Sequence, residues 1–339
     1  MYMVKERKSN IELLRIICIL MIILLHYNNA RMGGALTGVE KYSFNYYLVN
    51  FVESLCIVAV NVFVIITGYF SYEKEKVKIS KVIKLFYQCA IYGLLIYFIL
   101  VGIGRLEINS DTLYSLRDTI FDRWFIIIYS ILYLLIPYIN KVLNKLDKKQ
   151  FIVLLSICFL FFYIWPTFYI KTPLQDRGYG IVNFIVLYII GAYIHKYRDN
   201  KIKIYIPALI YILCAVITTY FVCYTKLPAF DYNQVFNLIG AISLFLVFKN
   251  IDIKDNKIIN KLSTYVLCTY IIHENSFFRT ILYKEIFLTP KFYHRKLIML
   301  NMFYTTLGIF FGCVIIECIR RLIMKKIDNS IDKIKYEIE

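Results

Sequence analysis

Residues 9–27 read SNIELLRIICILMIILLHY, and this stretch decides the fold class of the chain. The run is mostly apolar and long enough to cross a bilayer as a helix, yet it contains Arg15 and His26. Eleven residues at about 100° each make about three full turns, so the two side chains share one helix face, roughly 16 Å apart along the axis. Because an ionisable residue inside a membrane span is costly, the pair predicts a polar path through the bilayer with a functional site on it.

The remainder of the chain is equally apolar, and the expected fold class is an all-α, polytopic transmembrane helix bundle. Hydrophobic residues make up 60% of the 339 residues and charged residues 19%, a composition typical of multi-pass membrane proteins. Ten apolar runs are counted as spans, at residues 11–27, 47–70, 82–103, 123–140, 151–170, 181–195, 204–223, 233–249, 262–280 and 297–319. Residues 1–322 are expected to form one membrane domain, and residues 323–339 a charged cytoplasmic tail that is either an interfacial helix or disordered.

The basic residues predict the orientation. With a cytoplasmic N-terminus, the cytoplasmic segments hold 25 of the 40 Lys and Arg residues and the external segments hold 11. The positive-inside rule then places both termini in the cytoplasm of a cell membrane, which we expect to be the bacterial cytoplasmic membrane. The same bias predicts contact with anionic membrane lipids. Nucleic-acid binding is the poorer interpretation, because the charges are divided among short loops instead of forming one basic face.

Several other classes of protein and site lack support in the sequence. The first apolar run is long, carries two ionisable residues and has no small-residue cleavage site, so it is not expected to be a cleaved signal peptide. The nine cysteines lie in or beside apolar runs without a C-x-x-C pair, which predicts neither a disulfide framework nor a metal site. No Walker-type glycine loop and no G-x-S-x-G motif is present in the sequence.

Three further motifs follow Arg15 and His26 along the chain. Residues 61–69 read NVFVIITGY, residues 124–137 read WFIIIYSILYLLIP, and residues 270–273 read YIIH. In this order the elements resemble the membrane acyltransferase-3 family of O-acyltransferases, with its Arg-x10-His signature, its Phe-x3-Ser-Gly-Tyr pattern, its Trp-Phe…Tyr-Leu-x-x-Pro helix and its late Tyr-Leu-x-His element. The resemblance covers nearly the whole chain.

The chain departs from this family pattern at two positions. Thr67 stands where serine is usual, which keeps a hydroxyl, and Asp122 stands where many members carry a histidine two residues before the Trp. The resemblance implies transfer of an acyl group, commonly acetyl from acetyl-CoA as co-substrate, to a hydroxyl of a sugar or polysaccharide of the cell envelope. It implies no permanently bound cofactor.

His26 is the candidate catalytic base. Acyl transfer to a sugar needs a group that removes the hydroxyl proton as its oxygen attacks the thioester, and histidine titrates near neutral pH. Alternatively, His26 carries the acyl group covalently, or it is hydrogen-bonded at the membrane interface without a catalytic role. Arg15 is the candidate cofactor-binding residue, because a cation near the cytoplasmic surface would hold the phosphates of acyl-CoA. Otherwise it is a snorkelling side chain paired with Glu12.

Two more charged residues are catalytic candidates. Glu53, in the second span, would orient His26 or stabilise its protonated form, as the acid of a catalytic triad does. Arg123 would stabilise a developing oxyanion or hold an acidic acceptor. The alternatives are a helix-packing hydrogen bond for Glu53 and an ordinary interface anchor for Arg123.

Five polar or aromatic residues complete the candidate site. Asn61 and Thr67 lie deeper in the second span and are candidate cofactor-binding residues, where they would contact the pantetheine arm. Trp124, His273 and Glu274 are candidate substrate-binding residues. The last two are chosen because ionisable groups within a span are expected to face the bundle interior. Helix packing and a structural polar network are the alternatives.

Two non-enzymatic functions stay as alternatives. Polar residues that line a helix bundle serve permeation as well as catalysis, so a transporter or flippase of a lipid-linked glycan is the main rival. A membrane sensor is the weaker one, since no signalling domain is visible in the sequence. The sequence leaves open the identity of the acceptor, the length of the acyl chain and the oligomeric state.

Overall fold

The structure, a computed structural model, describes residues 8–169, 176–198, 201–225 and 227–339. Helices make up nearly all of its regular structure, and the expected all-α class is confirmed. By length and composition, seven helical stretches in these described ranges are able to cross a membrane: Ser9–Asn28, Phe44–Ser71, Ile79–Gly102, Ser110–Lys145, Lys148–Phe168, Tyr205–Tyr224 and Ile298–Ile323. Two shorter apolar helices, Ile181–Tyr197 and Val235–Asn250, accompany them.

The secondary-structure elements have the following bounds. The first half of the chain contains α1 Ser9–Asn28, α2 Ala35–Gly38, α3 Phe44–Cys56, α4 Ala59–Ser71, β1 Val77–Lys78, α5 Ile79–Gly102, α6 Ser110–Phe121, α7 Trp124–Lys145, α8 Lys148–Phe159 and α9 Trp165–Phe168. The second half contains α10 Ile181–Tyr197, α11 Tyr205–Tyr224, α12 Val235–Asn250, α13 Lys257–Leu262, α14 Val266–His273, α15 Ile298–Ile323, α16 Lys325–Asp332 and β2 Glu337–Ile338. Short π-helical turns at Leu160–Ile164 and Ile281–Ile286, and 3-10 turns at Ser263–Tyr265 and Thr289–Phe292, join them.

The predicted span 262–280 is wrong as one continuous helix. α14 ends at His273, and the side-chain oxygen of Asn275 then accepts a hydrogen bond from the backbone nitrogen of Phe277 at 3.0 Å. The backbone carbonyl of Asn275 also accepts from the backbone nitrogen of Arg279 at 2.8 Å. Asparagine side chains compete with helical backbone hydrogen bonds in this way. The chain therefore turns, and His273 is left at a helix end inside the bundle.

Two other elements differ from the predicted pattern. The predicted span 47–70 is divided into α3 and α4, which are separated by Ile57 and Val58. The segment between the third and fourth predicted spans contains α6, which begins at a capping box formed by Asn109 and Thr112. The number of spans and the side of the membrane that holds the termini stay predictions.

The segment 323–339 is folded in the structure. It contains α16 and β2, and β2 pairs antiparallel with β1, with Val77 opposite Ile338. That this segment is a cytoplasmic tail, separate from a membrane domain over residues 1–322, stays a prediction. Residues 1–7 of that domain and the last residue of the predicted span 151–170 lie outside the described residues.

α1 contacts α3, α4, α12, α14 and α15, so the other helices surround it. Both of its ends are fixed by hydrogen bonds: the hydroxyl of Ser9 donates to Asn260 at 3.0 Å, and the hydroxyl of Tyr27 donates to Asn301 at 2.7 Å. Beside it, α4 and α10 approach backbone to backbone, because a Cβ at Gly68 would lie 2.1 Å from a carbonyl oxygen of α10. Only glycine permits this approach. α1 is thus bonded to the bundle at both ends and lies beside a tightly packed helix pair.

Candidate active site

A cavity of about 810 Å³ follows α1, and both Arg15 and His26 line it. The structure thus brings the two residues to one passage, as their shared helix face predicts. We call its two ends the Arg15 end and the His26 end. The lining of the Arg15 end includes Ser71, Lys74, Lys81, Tyr133 and Thr264, and that of the His26 end includes Arg31, Glu53, Trp124, Arg177, Tyr179, Tyr232, Glu274 and Arg279.

Three cations line the Arg15 end. The Nε atom of Arg15 lies 3.9 Å from a carboxylate oxygen of Glu12, which is too far for a hydrogen bond, and is buried without another partner among the described residues. The amine of Lys81 lies 5.7 Å from the centroid of the Tyr133 ring. The amine of Lys74 donates to a serine hydroxyl at the end of α4 at 2.9 Å. This end of the cavity suits a multiply charged anion.

His26 meets a second histidine at the other end. Its Nδ1 atom lies 2.8 Å from Nε2 of His273, and the two ring centroids are 4.9 Å apart. His26 is partly exposed to the cavity, whereas His273 is fully buried behind it and is absent from the lining. The sequence predicts substrate contact for His273, but the structure places it behind His26, in hydrogen-bond contact with the His26 ring.

Hydrogen bonding assigns the protons of the two neutral rings. The Nδ1 atom of His273 contacts the carbonyl oxygen of Thr269, which can only accept, so His273 carries its proton on Nδ1. Its Nε2 is then an acceptor, and His26 must donate from Nδ1. The Nε2 atom of His26 is left without a proton and without a hydrogen-bond partner among the described residues. An unprotonated nitrogen beside a cavity is what a general base requires.

Glu53 lines the same cavity, but the carboxylate has another partner. Its Oε2 atom accepts a hydrogen bond from the side-chain amide of Asn28 at 2.9 Å. Asn28 lies two residues beyond His26, on the side of α1 that faces α3. His273 contacts Nδ1 of His26, the position at which the sequence predicts Glu53, and Glu53 bonds to Asn28.

Arg123 lies outside the cavity lining, contrary to the expectation that it contacts the reacting groups. Its Nε donates to the carbonyl of Thr119 at 2.7 Å and its Nη1 to the carbonyl of Ile271 at 2.9 Å. Nη1 also lies 3.4 Å from Glu274, whose other oxygen accepts from Arg279 at 3.0 Å. The Arg123 side chain is 4% exposed and connects α6 to α14. Arg279 is the member of this group that reaches the cavity as a cation.

Of the remaining candidates, three line the cavity and one does not. Asn61 lies outside the lining and donates to the carbonyl of Tyr232 at 2.9 Å, a packing contact rather than a position for binding the donor. Thr67 lines the cavity, and its hydroxyl donates to the carbonyl of Phe63 at 2.9 Å. Trp124 and Glu274 line the His26 end, as substrate-binding residues would.

Sequence reasoning missed several charged residues of the cavity. Lys74, between α4 and β1, and Lys81, in the first turn of α5, enter the sequence analysis only as two of the basic residues that predict the orientation. Arg31 and Arg177 lie in segments that no motif covers, after α1 and before α10. Their positions depend on which loops meet at the end of the bundle, and no local pattern carries that information. Within the described residues, no group of three or more His, Cys, Asp or Glu side chains is placed to hold a metal ion.

Comparison with known proteins gives one result. The sequence model of a family described as an acyltransferase domain matches residues 8–319, which include every residue named above as lining the cavity. No curated protein and no solved structure matches the chain.

Proposed function

The chain belongs to the acyltransferase-3 family and is a membrane acyltransferase, and from this premise we propose that it moves acetyl from acetyl-CoA to a hydroxyl of a cell-surface sugar or polysaccharide. The observation that carries the proposal is the lining of one cavity by both Arg15 and His26. In the proposed orientation the Arg15 end faces the cytoplasm, the source of acetyl-CoA, and the His26 end faces the external acceptor.

The donor would bind with its phosphates at the Arg15 end. Arg15 offers a buried Nε without a hydrogen-bond partner, and Lys81 adds a second positive charge nearby. The pantetheine arm would then lie along α1, past Thr67. The rise from Arg15 to His26 is roughly 16 Å along the helix, a distance suited to an extended arm that carries the thioester to the imidazole.

The chemistry is assigned to Nε2 of His26. The acceptor oxygen attacks the carbonyl carbon of the thioester while its proton passes to Nε2, and the tetrahedral intermediate collapses as the carbon–sulfur bond breaks. The CoA thiolate then takes the proton from His26. Between these events the imidazolium is stabilised by its hydrogen bond to His273, and Arg279 is the cavity cation suited to the oxyanion. In the covalent alternative the same Nε2 atom carries the acetyl group first.

Mass spectrometry of surface glycans tests the proposal. Cells lacking the chain are compared with cells that express the wild type, H26A or H294A. His294 is an exposed histidine outside the cavity lining and is the matched control. We expect an acetyl mass on the glycan with the wild type and with H294A, and a loss of at least about 10²-fold with H26A at equal membrane levels.

The outcomes separate the rival functions. Acetylated glycan in H26A cells would overturn the catalytic role of His26. Loss of the glycan itself from the surface, rather than loss of its acetyl group, would indicate a transporter or flippase. Radiolabel retained on the protein after brief incubation with labelled acetyl-CoA, and absent from H26A, would select the covalent form of the mechanism.

A further inference from the structure

The His26 end of the cavity holds more positive charge than the proposed acyl transfer uses. Arg31, Arg177 and Arg279 all line this end. Two of them have carboxylate partners: Arg279 pairs with Glu274 at 3.0 Å, which it shares with Arg123, and Arg177 pairs with Asp231 at 2.8 Å. The third, Arg31, is different.

Arg31 lies in the turn directly after α1 and is exposed. Its backbone is fixed from both sides, because its nitrogen donates to Asn29 at 2.9 Å and its carbonyl accepts from Thr280 at 3.2 Å. Its guanidinium has no carboxylate partner within the described residues. The carboxylates at this end already have partners: Glu53 has Asn28, and Glu274 has two arginines. A guanidinium on a fixed backbone and without a counter-ion favours an anionic ligand.

An aromatic surface lies at the same end of the cavity, the His26 end. The Trp124 ring is 4.7 Å from the Tyr179 ring and stacks on the Tyr232 ring at 5.8 Å between centroids. All three rings line the cavity. The loop that carries Tyr179 is fixed by the backbone nitrogen of Tyr232, which donates to the carbonyl of Arg177 at 3.0 Å. Aromatic faces of this kind pack against the apolar C–H face of a sugar ring.

The carboxylate that pairs with Arg177 belongs to a second loop, the one before α12. Asp231 is buried, and burial raises the pKa of its carboxyl above the ordinary value, while the guanidinium of Arg177 opposes that change. The carboxylate of Asp231 is also the ion-pair partner of Arg177, so the pair adds little net positive charge to this end of the cavity. Of the three arginines that line the His26 end, Arg31 is therefore the one whose guanidinium has no carboxylate partner among the described residues.

We infer that the acceptor sugar carries an anionic group, a carboxylate or a phosphate, which Arg31 binds while the sugar ring packs on Trp124 and Tyr179. The inference rests on the proposed function, because it names the class of acceptor for the same site. The anion belongs to the acceptor rather than to acetyl-CoA, since the donor phosphates are assigned to the opposite end of the cavity. The hydroxyl next to the anchored ring is then presented to His26.

Trp124 fluorescence tests this inference without any acyl transfer. The chain has two tryptophans, so W165F leaves Trp124 as the sole reporter. The full chain in nanodiscs of neutral phosphatidylcholine is titrated, without acetyl-CoA, with methyl glucoside, methyl glucuronoside, glucose 6-phosphate and inorganic phosphate. We expect at least one of the two anionic sugars to change the fluorescence at a concentration about tenfold below the neutral glucoside.

Two arginine variants in the W165F background complete the test. R31Q should remove the preference for the anionic sugar, whereas R295Q should keep it. Arg295 is an exposed arginine outside the cavity lining and serves as the matched control. Equal responses to neutral and anionic sugars, no response to any of them, or a preference that survives R31Q would each overturn the inference.

Two further outcomes would also overturn it. A response to inorganic phosphate as strong as that to glucose 6-phosphate would indicate a general anion site rather than a sugar site. An Arg31-dependent signal that appears only when phosphatidylglycerol replaces part of the lipid would assign Arg31 to a lipid headgroup. Failure of the proposed acyl transfer is distinguished from all of these, because the sugar titration contains no acetyl-CoA and reports binding without any transfer.

Discussion

The two ends of the cavity hold positive charge in different ways. At the Arg15 end, the Nε atom of Arg15 has no hydrogen bond and Lys81 rests near an aromatic ring. At the His26 end, Arg123 is tied to two backbone carbonyls and to Glu274, and Glu274 also holds Arg279. At the first end the Nε donor of Arg15 stays available, whereas the second end has already used most of its donors within the protein.

This difference fits two tasks. A highly charged ligand that must enter and leave repeatedly is served by cations whose internal ion pairs are long, as for Arg15 and Glu12 at 3.9 Å, because little internal attraction is lost on binding. A reacting group must instead be held in one geometry, and supporting hydrogen bonds achieve this at the cost of free donors. The comparison predicts that variants of the residues that hold His26 change kcat and that variants at the Arg15 end change the KM for acetyl-CoA.

The largest effect is expected for the residue that holds His26. H273A removes the acceptor of the His26 Nδ1 proton and should lower kcat about 10²-fold with little change in the KM for acetyl-CoA. H273Q offers a carbonyl oxygen in place of the Nε2 acceptor and should recover part of that loss. The measurement is labelled acetyl transfer in proteoliposomes, with kcat recorded as a function of pH.

The pH profile separates a positioning role from a purely structural one. The base must be unprotonated, so kcat falls as the pH is lowered, and His273 sets where that fall occurs through its bond to His26. H273Q should therefore move the acidic limb of the profile. Two results would contradict the assignment of the His26 end to the chemical step. One is a uniform loss of activity with the acidic limb of the pH profile unchanged, and the other is full activity in H273A.

A smaller effect is expected at the Arg15 end. R15Q should raise the KM for acetyl-CoA about tenfold and leave kcat close to the wild-type value, because it removes a charged contact made equally in the ground and transition states. Acetyl-pantetheine, which lacks the nucleotide phosphates, supplies the control donor. Its KM should be high and should not change in R15Q.

An equal rise in KM for both donors would mean that Arg15 contacts the arm or only supports the fold. R15K tests the geometry of the contact, since it keeps the charge but loses the guanidinium fork. A partial rise in KM, between the wild type and R15Q, is the expected result.

The same contrast explains how much the sequence could predict. Arg15 and His26 lie on one rigid helix, so eleven residues of regular geometry were enough to place both on one cavity. The partner of His26 could not be placed in this way, because His273 lies 247 residues away and reaches the ring only through the packing of α1 against α14. Its motif indicated importance but not the contact.

Two other predictions from the sequence failed for a physical reason. Periodicity read residues 262–280 as one span, but Asn275 bonds its own following backbone and turns the chain after His273. Arg123 looked like a free cation at a span end, yet it is buried against two carbonyls. In both cases hydrogen bonds to the backbone, which hydropathy does not detect, decide where the polar side chains of the segment lie.

The smallest expected effect is a dependence on salt that differs between the two sides of the membrane. Raising the salt from about 0.1 M towards 1 M shortens the Debye length from about 10 Å to about 3 Å. On the Arg15 side, this should raise the KM for acetyl-CoA about threefold in the wild type and less in R15Q, because accessible charges are screened most. On the His26 side, the same salt should leave that KM unchanged, since the Arg123, Glu274 and Arg279 group is largely buried and screened little.

Proteoliposomes allow the two salt concentrations to be set independently, and acetyl-CoA outside the vesicles reacts only with molecules whose Arg15 end faces outwards. Equal sensitivity to salt on both sides would mean that the two ends do not differ in how their cations are held, and the division of donor binding from chemistry would fail with it.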